Sequence, residues 1–166
     1  MNTMKNILLV TAFLIAAATK AQVTKVYIQA SGLTCSMCSN AIYKALKTID
    51  FVDRVDANVK HYTFEVTFKA NTEVDFNKIK NKVEDAGFSV SGFSASIYFN
   101  NTLVKENQEI KIGNARLLFV NGKDQTLNGE IKVRFVDRGF VPAKESRNSR
   151  HSSPTATEAG IYHVTI

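Results

Sequence analysis

Gly32-Leu33-Thr34-Cys35-Ser36-Met37-Cys38 holds both cysteines of a 166-residue chain. Val26-Tyr27-Ile28-Gln29-Ala30 precedes it, with apolar residues at every second position, the period of a half-buried strand. After Cys38, apolar side chains recur at Ile42, Ala45, Leu46 and Ile49, which is one buried face of a helix. The two thiols therefore stand at a strand-to-helix turn. Two sulfurs two residues apart can converge on a single soft ion, so metal binding is the leading expectation.

Further along, Val55, Ala57 and Val59 alternate with Asp56 and Asn58. Tyr62, Phe64, Val66 and Phe68 alternate with Thr63, Glu65, Thr67 and Lys69. Asp75 is placed to cap a helix whose inner face is Phe76, Ile79, Val83 and Ala86, and Gly87 to close it. Phe88 to Ala95 resumes an extended character. The order strand, helix, strand, strand, helix, strand predicts a four-stranded antiparallel sheet with both helices on one face, the ferredoxin-like arrangement.

These residues support a family comparison. The Gly32–Cys38 loop resembles the Gly-Met-Thr-Cys-x-x-Cys loop of heavy-metal-associated domains, and Val83-Glu84-Asp85-Ala86-Gly87-Phe88 resembles the end of that family's second helix. The resemblance covers about residues 23 to 95. It implies a metal site at Cys35 and Cys38 and kinship with copper(I) chaperones, domains of metal-pumping ATPases and exported mercury-binding proteins. Leu33 stands where the family usually has methionine and fills a similar volume. Phe88 matches a position that shields the metal in the family; its other reading is a plain core phenylalanine.

Residues 1–21 differ in kind. A short basic start, an apolar run from Ile7 to Ala18 and small residues at Thr19 and Ala21 read as a signal peptide cleaved before Gln22. The expected mature protein is secreted or periplasmic, without stable membrane insertion. Loss of Lys5 and Lys20 lowers the formal charge from +6 to about +4, a mild value that gives no support to nucleic-acid binding. From residue 99 onward, Leu103-Val104, Ile110–Ile112, Leu117–Val120, Ile131–Val136 and Tyr162–Ile166 read as short strands. Asn100-Asn101, Gly113-Asn114, Asn121-Gly122 and Asn128-Gly129 punctuate them. Glu145 to Gly160 reads as a polar loop carrying Arg147, Arg150 and His151. The fold class is thus α+β: a signal peptide (1–21), a ferredoxin-like domain (22–98) expected to fold alone, and a small all-β sandwich or barrel (99–166) of unassigned role.

Chemistry narrows the ion. A thiolate is the ligand, and the positive end of a helix favours it. Copper(I) accepts two sulfurs and can gain a third from a partner, which permits handover. Zinc(II) prefers four ligands, and the chain adds only His61, His151 and His163, all distant from the loop in sequence. Zinc-selective relatives often carry an acidic residue where Thr34 stands. Copper(I) is favoured, with zinc(II) and mercury(II) as alternatives. Met37 is expected to point outward, His61 to sit in a hairpin turn, and His151 and His163 to lie at the surface. No nucleophile–base set points to an enzyme. The implied partner is a metal-transfer protein. Two other readings compete: a thiol–disulfide redox protein using the same pair, and an interaction protein whose β half binds a partner. Against redox, the only prolines, Pro142 and Pro154, lie in the other half, so the domain lacks the cis-proline loop of redox folds.

Overall fold

Val26, Ile28 and Ala30 are buried along one side of strand β1 (Gln22–Ser31), as the alternation requires. The structure is a computed structural model that describes residues 22–34, 36–120, 123–148 and 160–166; the proposed signal peptide lies outside them. Helix α1 (Ser36–Lys47) buries Ile42 and Leu46, and Ile49 just beyond it is also buried. Helix α2 (Phe76–Asp85) buries Phe76, Ile79 and Val83. The Asp75 side chain accepts from the Lys78 backbone N–H at 3.0 Å, an N-cap that contributes about 1 kcal/mol. Gly87 N–H to Glu84 and Phe88 N–H to Val83 satisfy carbonyls at the other end.

Strand β2 (Val52–Asn58) completes the first βαβ half; β3 (Thr63–Phe68) opens the second, and β4 (Ser89–Val104) follows α2. The four pair antiparallel in the order β2-β3-β1-β4. This is the expected ferredoxin-like arrangement. One detail differs: β2 ends at Asn58, and Ala57 and Val59 are exposed, because the chain is already turning toward the hairpin at Tyr62, whose φ is 53°.

The second half departs from expectation. β4 runs for 16 residues straight through the proposed 98/99 boundary. Strand β7 (Gln125–Phe135) pairs antiparallel with it, from Ser94↔Arg134 to Val104↔Gln125. Strands β8 (Ile161–Thr165), β6 (Ala115–Phe119) and β5 (Glu109–Ile112) continue the same sheet, with β6 and β8 parallel. Among the described residues this is one eight-stranded sheet rather than a domain followed by a separate sandwich or barrel.

Two expected turns explain the misreading. Between Phe99↔Gly129 and Thr102↔Leu127, Asn100 and Asn101 on β4 oppose Asn128 on β7. That is a β-bulge, two residues against one. Asn101 has φ 43° and Gly129 φ 84°, backbone that favours Asn and Gly. The punctuation bends a pair of strands instead of ending them.

A shared core gives the physical reason for one sheet. Phe76 of α2 meets Phe93 at 6.0 Å, Phe135 at 4.8 Å and Tyr162 at 5.3 Å between ring centroids. Phe140 closes the cluster against Phe93 at 4.9 Å and Tyr162 at 5.6 Å. The loop after β7 also lies on α2: a Cβ at Gly139 would stand 3.3 Å from Lys80 Cδ, and Lys80 Nζ sits 5.7 Å from the Phe140 ring centroid. The second half borrows its helical layer from the first.

The polar loop expected over 145–160 begins instead as helix α3 (Ala143–Asn148). Pro142 supplies the carbonyl that accepts from Glu145 and Ser146, and Glu145 pairs with Arg134 at 2.6 Å. His151 and Arg150 lie outside the described residues, as does the side chain of Arg147.

His163 is not a bare surface residue. Its Nδ1 lies 2.7 Å from Asp137 Oδ1, and its backbone N–H donates to Asp137 Oδ2 at 2.7 Å. The Asp137 hydrogen bond raises the imidazole above its ordinary 6.5, against the opposing effect of burial. A raised value means the imidazolium form is favoured in the folded chain. Its stabilising contribution is complete below the unfolded value and is lost as pH rises through the folded one. Replacing His163 by Asn should remove this pH-dependent part, so the stability gap between wild type and variant narrows as pH rises through the native His163 titration. Denaturant midpoints across that range, with the imidazole followed by NMR, check this.

Phe135→Ala should cost about 3–5 kcal/mol, the usual loss for a buried aromatic. It should also lower the melting temperature of the whole molecule in one transition. A fragment 22–98 should be markedly less stable than the full mature chain, because it strands Phe76 and Phe93 without Phe135, Phe140 and Tyr162. Calorimetry on both decides between one cooperative unit and two independent halves.

Candidate functional site

β1 ends at Ser31, and Gly32 turns the chain with φ 86°. Leu33 is half-buried and packs against the core, as expected of the residue beneath the loop. Thr34 is exposed, and α1 begins two residues later at Ser36. Cys35 lies between them, outside the described residues. Cys38 is the third residue of α1 and is half-buried. The Thr34 hydroxyl oxygen is 4.0 Å from Cys38 Sγ.

The helix start sets the electrostatics. No acidic side chain occupies the first turn of α1, while Lys44 and Lys47 stand in its last. The free N–H groups and positive end of the dipole are therefore not offset by a local carboxylate. A helix start of this kind attracts negatively charged groups.

The neighbourhood comes from two other turns. Ala30 N–H donates to the Tyr62 carbonyl at 3.0 Å, which holds the β2–β3 hairpin against the end of β1. His61 sits in that hairpin with its N–H on Asn58, the turn position expected of it. Phe88 follows Gly87 at the C-terminal end of α2; it is half-buried and packed against the core. Met37 is 80% exposed, pointing outward as expected. Among the described residues, no three of His, Cys, Asp and Glu assemble into a group able to hold a metal.

A cleft of about 510 Å³ opens elsewhere, beside the start of α2, lined by Phe51, Asp75, Lys78, Asn114 and Tyr162 among others. Residues 51 and 73–78 lie at the far end of the β1–β4 sheet from the cysteine loop, since β1 runs toward the loop and α1 runs away from it. Burial, with the charge of Asp75, pushes the Tyr162 hydroxyl up to about 12, so it stays neutral. Asn114 reaches Glu73 across this cleft and ties the two halves at their surface.

One feature beside the cysteine loop escaped the sequence reading. Ser39, beside Cys38, is buried with a hydroxyl that has no hydrogen-bond partner. Its position on the Ile42–Leu46 face was the available signal.

Known proteins bear on this site. The heavy-metal-associated domain profile matches residues 28–89. Over 83 residues, half of this chain, the sequence is 29% identical to a probable copper-exporting P-type ATPase of Archaeoglobus fulgidus, and it spans 10% of that relative's length. Among solved structures, the yeast copper transporter domain CCC2A is 31% identical over 40% of this chain and 90% of its own, with a TM-score of 0.36. The CopZ metallochaperone is 27% identical over 40% of this chain and 98% of its own, with a TM-score of 0.37. The match to the heavy-metal-associated domain thus takes in residues 28–89 of this chain, the cysteine loop among them.

Proposed function

We propose that this protein is a copper(I) carrier or buffer that works outside the cytoplasm and holds one ion as cargo between the thiolates of Cys35 and Cys38. The observation that carries the reading is the place of Cys38 in the first turn of α1, half-buried and with no carboxylate in that turn. Cys35 precedes that turn by one residue in the sequence, and on this reading its thiolate is the second ligand. Two sulfurs suit copper(I), which is stable at low coordination number. Zinc(II) would need two further ligands. The copper-exporting relative supports the same ion. Mercury(II) would bind the same pair.

Release follows from the same geometry. Thr34, Ser36 and Met37 are all exposed beside the pair, so a partner's thiolate can approach and add a third sulfur. The ion passes by ligand exchange without being freed. The partner on this reading is a metal-transfer protein, and the signal peptide would bring the carrier to it. The strands beyond β4 act as a buttress for the carrier fold.

Cys35→Ser and Cys38→Ser should each abolish tight copper(I) binding in a competition titration of the reduced mature protein. One thiolate cannot hold the ion against a competing chelator. Wild-type affinity retained in either variant would falsify the site.

Oxidation should consume both sulfurs in one disulfide and block uptake. Copper stoichiometry measured before and after a thiol reductant checks this; equal values in the two samples would exclude it.

A further inference from the structure

Thr34 Oγ1 stands 4.0 Å from Cys38 Sγ across the start of α1, and either group can act as donor in that contact. Thr34 is exposed and precedes the helix, while Cys38 is half-buried within its first turn. A bound copper(I) ion would remove the ambiguity of direction. The sulfur that ligates a metal is a thiolate and has no proton to give. The hydroxyl is then the donor and the sulfur the acceptor. Charge balance gives that bond its value. One copper(I) held by two thiolates leaves a surplus negative charge on the site. The first turn of α1, Ser36-Met37-Cys38-Ser39, carries no basic side chain, and Lys44 and Lys47 stand in the last turn. Within this stretch of chain, the groups able to meet the surplus charge are the N–H groups of the helix start and the Thr34 hydroxyl. A hydrogen bond to an ionised acceptor is about twice as strong as one between neutral groups. The contact that is long and weak without the ion therefore gains strength when the ion binds.

We propose that Thr34 is a positioning residue for the metal site: its hydroxyl donates to the Cys38 thiolate once that sulfur holds copper(I). This deepens the copper(I) reading and rests on it. Thr34 does not ligate the ion. The bond draws charge from the sulfur and fixes the direction in which its remaining lone pairs point, as outer hydrogen bonds do for metal ligands generally. No covalent bond forms and no proton moves.

The test compares Thr34→Val and Thr34→Ser with wild type, each as the reduced full mature chain. Valine keeps the shape and removes the hydroxyl; serine keeps the hydroxyl. Without copper, both variants should melt at the wild-type temperature, because Thr34 is exposed. In a copper(I) competition titration, Thr34→Val should bind about tenfold more weakly, the lower end of the loss that follows removal of an outer hydrogen bond to a metal ligand. Thr34→Ser should recover most of that affinity. The ultraviolet thiolate-to-copper(I) band should move to longer wavelength in Thr34→Val, since the sulfur electrons lose a stabilising donor, and stay in place in Thr34→Ser. Wild-type affinity in Thr34→Val would overturn the proposal. So would a serine variant as weak as the valine one, or a valine variant whose melting temperature falls without copper, since these mark a role for the methyl group or for the helix start alone. If wild type itself fails to bind copper(I) tightly, the functional reading falls and takes this inference with it; if wild type binds and Thr34→Val matches it, only this inference falls.

Discussion

Backbone pairing along both edges of β4 is the constraint on which the rest of the molecule depends. Residues 94–98 of that strand are bonded to β1 on one side and to β7 on the other. In a four-stranded ferredoxin-like sheet of order β2-β3-β1-β4, β4 would be an open edge, a row of unpaired donors and acceptors. Here it is interior. Its inward side chains, Phe93, Ala95, Ile97 and Phe99, are all fully buried. That burial needs inward residues from β7 as well as from the helices, and Val133 and Phe135 supply them.

The helical layer is thereby shared. Phe76, the first residue of α2, sits edge-on to rings from β4, β7 and β8. Edge-to-face aromatic contacts add directional preference to simple area burial. The relative setting of α2 and the outer strands is therefore fixed by packing that spans both halves. Dividing the chain at residue 98 would cut through the middle of this core.

On the outer face of the sheet, charges are matched both across strands and along them. Lys25 pairs with Glu65, Arg54 with Asp56, and Arg116 with Glu109, while Lys132 lies 4.2 Å from the centroid of the Tyr27 ring. Exposed pairs of this kind contribute little stability. The cysteine loop needs none of this distant chemistry. Its electrostatics come from one helix terminus and its shape from one glycine.

The sequence by itself determined the first four strands, the two long helices and the loop between β1 and α1. Those are local matters. Alternation set the inner faces of β1 and β3, the 3.6-residue period set Ile42–Leu46 and Phe76–Val83, and Asp75, Gly32 and Gly87 marked the ends. The candidate pair Cys35 and Cys38 was legible because their spacing and the helix after them lie within a few residues. Only the tertiary structure decided that the later strands join the same sheet. Asn100-Asn101 and Asn128-Gly129 look like turns one at a time, and only their meeting across β4 and β7 makes them a bulge. The pairing of His163 with Asp137 was hidden for a similar reason, since 26 residues separate them. The unpartnered hydroxyl of Ser39 was hidden too, because burial of one atom depends on everything packed around it. Local pattern specifies an element's inner face; which element fills the space beyond that face is a property of the whole chain.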